Sequence, residues 1–170
     1  ADVSYIMEEF VFAEVNSYDA IIDSHGNPIF ETGNVSPVSI MDIVNNEDNA
    51  IFYIVKELAG DTRQAGRATA KSFNVRSRFV FRLQKDQEGL GRKGELVGLE
   101  VNMRPSGGFS PDMMDFACTT DVYKIWADMI AFDKTEMHPG ERQYCAFAGR
   151  RDGKRFVLSH EAVMEKYRQS

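Results

Sequence analysis

The sequence predicts an α+β domain built on antiparallel strand pairs with helices packed against them. Three observations predict it. First, Tyr18, Ala20 and Ile22 alternate with Asp19, Ile21 and Asp23, and the turn His25-Gly26-Asn27-Pro28 sends the chain back along Pro28 to Gly33 as a hairpin. Second, Leu99, Val101 and Met103 alternate with Glu100, Asn102 and Arg104, a strand expected to pair antiparallel with Phe79, Phe81 and Leu83. Third, Val122, Ile125, Trp126, Met129 and Ile130 fall at i, i+3, i+4, i+7 and i+8, the stripe of an amphipathic helix.

The remaining elements follow in order. Tyr5 to Val11 is aromatic and β-branched and reads as a strand. Val38 to Val44 and Ile51 to Val55 are short apolar runs around the polar Asn45-Asn46-Glu47-Asp48-Asn49, and predict a second hairpin bounded by Pro37. Asp61 or Thr62 caps a helix to about Phe73, whose Ala65, Ala68 and Ala70 allow close packing on a sheet. Lys85 to Gly94 lacks the Gly-Lys-Ser/Thr ending of a phosphate loop. Pro111 to Ala117 is a short helix, and Thr120 or Asp121 caps the striped one, with Trp126 assigned to the core. Beyond a linker at Asp133 to Glu141, Asp152-Gly153 predicts a hairpin between Arg142–Ala148 and Arg155–Leu158. Ser159 caps a last helix to about Tyr167. The boundaries read as a domain over 1–132 and a hairpin-helix appendage over 133–170.

Composition sets the class. The chain has 170 residues, 43% hydrophobic, with a net charge of −6, which gives no electrostatic case for nucleic acid. No apolar run is long enough to cross a membrane. Cys118 and Cys145 lack CxxC spacing and read as reduced thiols of a cytoplasmic protein. The chain begins Ala1-Asp2 without an initiator Met and reads as a piece of something longer.

Chemistry concentrates in Gly98 to Gly108. One strand face presents Glu100, Asn102 and Arg104 in a row. A carboxylate and an amide oxygen are ligands for a hard cation such as Mg²⁺. A guanidinium forks onto phosphate or carboxylate oxygens. Pro105 ends the strand, and Gly107 and Gly108 let the backbone approach a ligand. The same pattern also fits a solvated strand face.

The Glu-x-Asn-x-Arg strand with its Pro-Ser-Gly-Gly sequel resembles the metal-binding strand of the ATP-grasp superfamily, which includes carbamoyl-phosphate synthetase, biotin carboxylase and the D-alanine–D-alanine ligases. Met7-Glu8-Glu9-Phe10-Val11 is similar to the segment that joins the two lobes in that family. The resemblance implies ATP and Mg²⁺ as cofactors. Glu100 and Asn102 would hold the metal, and Arg104 would be the catalytic group on the acyl phosphate. Glu9 and Val11 would read the adenine edge by carbonyl and amide, Glu14 or Glu8 the ribose, and Ser106, Gly107 and Gly108 the substrate carboxylate. The implied fold is the C-terminal lobe, a mostly antiparallel sheet with helices on one side. Two departures stand. No glycine-rich lid precedes Tyr5, and the strand Arg78-Phe79-Val80-Phe81-Arg82 lacks the second acid the family places there.

The resulting expectation is one lobe of an ATP-dependent carboxylate–amine or carboxylate–thiol ligase acting on a small carboxylate. The alternative is a non-catalytic nucleotide-binding or scaffold domain of the same descent. Alone, the lobe is expected to fold, to bind Mg·ATP poorly because its phosphate site is wet, and to expose an apolar face that drives homo-oligomer formation.

Overall fold

A computed structural model describes residues 4–7, 13–76, 78–80, 82–86, 94 and 96–168, with the side chains of 40, 78–80 and 82–86 outside the description. Its elements are β1 (Ala13–Ile22), β2 (Pro28–Ser36), α1 (Ile40–Asn45), β3 (Ile51–Ile54), α2 (Gly60–Ser72), β4 (Arg78–Val80), β5 (Arg82–Asp86), β6 (Leu96–Glu100), α3 (Ser110–Cys118), α4 (Val122–Phe132), β7 (Cys145–Ala148) and α5 (His160–Lys166). The chain is an α+β protein. Among the described residues, seven strands form one antiparallel sheet in the order β6-β5-β1-β2-β3-β7, with β4 also on β1.

The hairpin β1–β2 turns at Asp23. Its carboxylate accepts from the backbone N–H of His25 and Asn27 at 2.9 and 2.7 Å and from Asn27 Nδ2 at 2.9 Å. Gly26, at φ 89°, supplies the left-handed residue of the turn. Burial pushes the Asp23 carboxyl up, but the donors from Asn27 and His25 outweigh it and hold the group below its usual range.

Because β1 is the central strand, its two faces make two cores. Tyr18, Ala20 and Ile22 pack with Leu58, Ala70 and Val75 on the side of α2. Ile21, Phe30 and Ile54 pack with Met113, Met114, Ala117 and Cys118 of α3 and with Val122, Ile125 and Met129 of α4. Each buried Val, Leu, Ile, Phe or Met among them contributes about 1.5–3 kcal/mol. Helices therefore cover both faces of the sheet, where one face was expected. The reason is Ile21, an apolar residue on the strand face that otherwise reads as polar.

Helix ends follow their caps. Asp121 caps α4 by accepting from Lys124 N at 2.8 Å, and Asp115 of α3 accepts from Val122 N at 2.6 Å. Ser159 caps α5 as expected. In α2 the cap position is Ala59, without a side-chain bond, and Asp61 accepts from Thr62 N inside the first turn. Ile130 of α4 is exposed, so the apolar stripe stops at Met129.

Four further expectations are corrected. The run Val38–Val44 gives α1 instead of a strand, because Ser39 Oγ accepts from Met41 N and Asp42 sits in the first turn. Residues 4–7 form no strand and are exposed, and 8–12 lie outside the described residues. Cys145–Ala148 pairs with β3, Phe52 stacking on Phe147 at 4.8 Å, while Arg155–Leu158 forms no strand among the described residues. The strand carrying Glu100 ends there, and Leu99 and Met103 are exposed rather than core.

On the α2 face, Glu31 accepts from Tyr18 Oη at 2.6 Å and from Arg67 Nε and Nη2 at 2.8 and 2.5 Å. Burial raises this carboxyl, but Arg67 and Tyr18 outweigh it and hold it below its usual range. A depressed folded pKa stabilises above the unfolded value and is lost as pH falls through the folded one. The stability advantage of the natural chain over Glu31→Gln is therefore expected to be full at neutral pH. It should shrink below about pH 4.3, the ordinary glutamate value. Urea midpoints across pH 3–7 check this, and a constant difference would contradict it.

Candidate functional site

On the α3 side of the sheet, the segment 102–110 and α1 border one end of β1, β2 and β3. Between them lies a cavity of about 410 Å³. Its floor is Val15, Ser17 and Asp19 of β1 with Asn34 and Ser36 of β2, its apolar wall includes Phe52 of β3 and Ile43 of α1, and its rim is Asn102, Arg104, Pro105, Ser106, Gly107 and Gly108. Odd-numbered residues of β1 point here because successive strand residues alternate faces.

The floor is fixed by hydrogen bonds. Asp19 is 4% exposed. Its Oδ1 accepts from Ser106 Oγ at 3.0 Å, and its Oδ2 accepts from Ser17 Oγ. Ser17 Oγ in turn accepts from Asn34 N at 3.0 Å. Asp19 thus ties the rim loop to the two central strands. Asp19→Ala leaves the buried Ser17 hydroxyl and the half-buried Ser106 hydroxyl without their acceptor, so a loss of about 1–3 kcal/mol in unfolding free energy is expected from denaturant titration. An unchanged midpoint would show that the loop is held elsewhere.

The rim has the properties of an anion cradle. Arg104 is exposed, its Nη1 donates to Pro105 O at 3.2 Å, and no ion pair to it occurs among the described residues. Gly108 holds φ 61°, which a side chain would strain, and an added Cβ at Gly107 or Gly108 meets nothing within 4 Å. Ser110, the first residue of α3, closes the rim, so the helix presents its N-terminal end to the cavity.

Of the residues singled out from the sequence, Asn102, Arg104, Ser106, Gly107 and Gly108 meet at this one cavity. Glu100 does not line it. It is the last residue of β6, exposed, and stands across from Arg82 in the strand register. Glu14 is on β1 but one residue out of phase, on the opposite face, and accepts from Asn16 Nδ2 through its carbonyl at 3.0 Å. Glu8, Glu9 and Val11 lie outside the described residues, as do the side chains of Arg78 and Arg82. Ser17, Asp19, Asn34 and Ile43 were not singled out. Alternation along β1 places Asp19 opposite Tyr18, but nothing in the sequence says that Ser106 meets it.

The rim suits an anion: a guanidinium, glycine backbone and a helix N-terminus. It suits a protein-held metal less well. Asn102 lines the cavity without Glu100, and the described residues contain no group of three or more His, Cys, Asp or Glu placed to hold a metal ion. Neither cysteine is an activated nucleophile. Both are free, and burial pushes both thiols up. No helix among the described residues is long and apolar enough to cross a membrane.

Comparison with known protein families finds none that matches this chain, and comparison with curated proteins finds no match.

Proposed function

We propose that this chain is the C-terminal lobe of an ATP-grasp-type ligase, which activates a small carboxylate with ATP and passes it to an amine or thiol. The observation that carries the proposal is the convergence of Asn102, Arg104, Ser106, Gly107 and Gly108 on one cavity over the polar floor of β1 and β2. A carboxylate oxygen attacks the γ-phosphorus and ADP leaves. The nucleophile then attacks the acyl carbon, and phosphate leaves. Such a reaction needs positioning and charge stabilisation more than covalent help from the protein.

Each role falls to a group of this chain. Arg104 neutralises charge on the transferring phosphoryl oxygens. Ser106, tied to Asp19, sets the loop whose Gly107 and Gly108 backbone orients the carboxylate. Asp19 holds Ser106 in place, and Val15, Ile43 and Phe52 exclude water from one side. A Mg²⁺ ion bound to the triphosphate supplies further charge neutralisation. Asn102 is the residue of this cavity that would contact it. A second lobe completes the phosphate cage.

The test uses the protein that carries this lobe, with ATP, Mg²⁺ and a panel of small carboxylates. Expected are carboxylate-dependent ADP formation and, with hydroxylamine as the nucleophile, a hydroxamate. ADP formation that ignores every carboxylate, with no hydroxamate, would overturn the proposal.

A further inference from the structure

The turn following β7 touches the cavity's apolar wall through α1. This helix has six residues, too few to persist alone in water. Met41 and Val44 are 60% and 64% exposed, and Ile43 is the residue that α1 lays against the cavity. Its last turn carries no basic residue to meet the negative end of its dipole.

Those charges come from about a hundred residues away. Arg151 Nη2 donates to Ile43 O and Arg151 Nε to Asp48 O, both at 3.1 Å. Lys154 Nζ donates to Glu47 O. The planar guanidinium fixes two carbonyls at once, one in the helix and one beyond it. Glu47 holds φ 53°, so the chain leaving α1 is bent at the point where Lys154 grips it. The turn itself is built for the task. Gly153, at φ 82°, reverses the chain, and Lys154 N donates to Arg151 O at 3.3 Å. Arg150 braces the base by donating to Leu158 O at 2.5 Å and lying 4.1 Å over the Phe156 ring. Gly149 N bonds Ala50 O at 2.7 Å, next to the cavity-lining Ile51.

We propose that the turn at 150–155 is a strap, and that Arg151 and Lys154 are positioning residues that hold α1, and with it Ile43, closed over the cavity. The strap governs entry to the site. The identity of what enters rests on the ligase reading, but the closure does not.

The test uses the full chain with Arg151→Ala and Lys154→Ala combined, neither of which is in the binding machinery. Two readouts need no nucleotide. Hydrogen exchange should become about tenfold faster for amides 41–50 and stay unchanged for 113–129. A Ser36→Cys probe on the cavity floor, corrected for the native thiols, should react several-fold faster with Ellman's reagent. Arg151→Lys should fall between, because an ammonium holds one carbonyl where the fork holds two. Lys154→Arg should behave as the natural chain. If the double variant does not fold, Arg151→Lys alone decides the matter by the same exchange and labelling rates. Unchanged rates overturn the strap, and so does exchange that accelerates equally in α3 and α4, which marks general destabilisation. A failed ligase assay with the exchange result intact removes the ligase reading and leaves the strap standing.

Discussion

Arg104→Ala in the protein carrying this lobe is expected to lower carboxylate-dependent ADP formation by about 10²–10³-fold, the usual cost of removing a transition-state charge donor. The loss should appear mainly in kcat, because charge gathers on the phosphoryl oxygens as transfer proceeds. Stability should change by no more than about 0.5 kcal/mol, since Arg104 is exposed and its Nη1 bonds to its neighbour's carbonyl. Arg104→Lys should recover part of the rate, as it keeps the charge and loses the fork. Steady-state kinetics beside a thermal melt separate the outcomes. Turnover within threefold of the natural protein would remove Arg104 from the chemistry.

Gly66→Ala is expected to destabilise the fold by about 1–3 kcal/mol, although alanine is the better helix former by about 1 kcal/mol. A Cβ at Gly66 would stand 2.2 Å from Cγ of Tyr18 and 2.4 and 2.7 Å from two further ring carbons. The ring cannot yield. It is fully buried, and its hydroxyl is held by Glu31. Gly60→Ala is the control, because a Cβ there meets nothing within 4 Å. Urea titration should find Gly60→Ala neutral or slightly stabilising and Gly66→Ala clearly weakened. Equal midpoints would show that α2 can shift on the sheet.

The contrast between those two glycines shows what the sequence carries and what it does not. Local signals were legible. Asp121 and Ser159 announce their helices, Val122, Ile125 and Met129 mark the buried stripe, and Gly26 marks the hairpin. The rim residues from Asn102 to Gly108 were legible for the same reason, since they lie within one short stretch. What depends on distant partners was not. Asp19 reads as a polar strand residue until Ser106 is brought to it. Gly66 reads as a weak point in a helix until Tyr18 lies beneath it. The alternation of β1 was visible, yet Ile21 breaks it, and on that residue turns the covering of both faces. At α1 two local signals competed. The apolar run argued for a strand, and the Ser39 cap with Asp42 prevailed.

The pairing of β7 with β3 has a kinetic consequence. Ile51 meets Ala148 and Ile54 meets Cys145, so this edge of the sheet joins distant stretches of chain. Closing so large a loop costs entropy before any ladder bond rewards it. On a ribosome, β1, β2 and β3 emerge early, and the free side of β3 waits for a strand made much later. During that wait β3 is an open template for strands of other chains. Yield during refolding should therefore fall with protein concentration, and a peptide copying Gln143–Gly149, added in trans, should compete for the waiting edge.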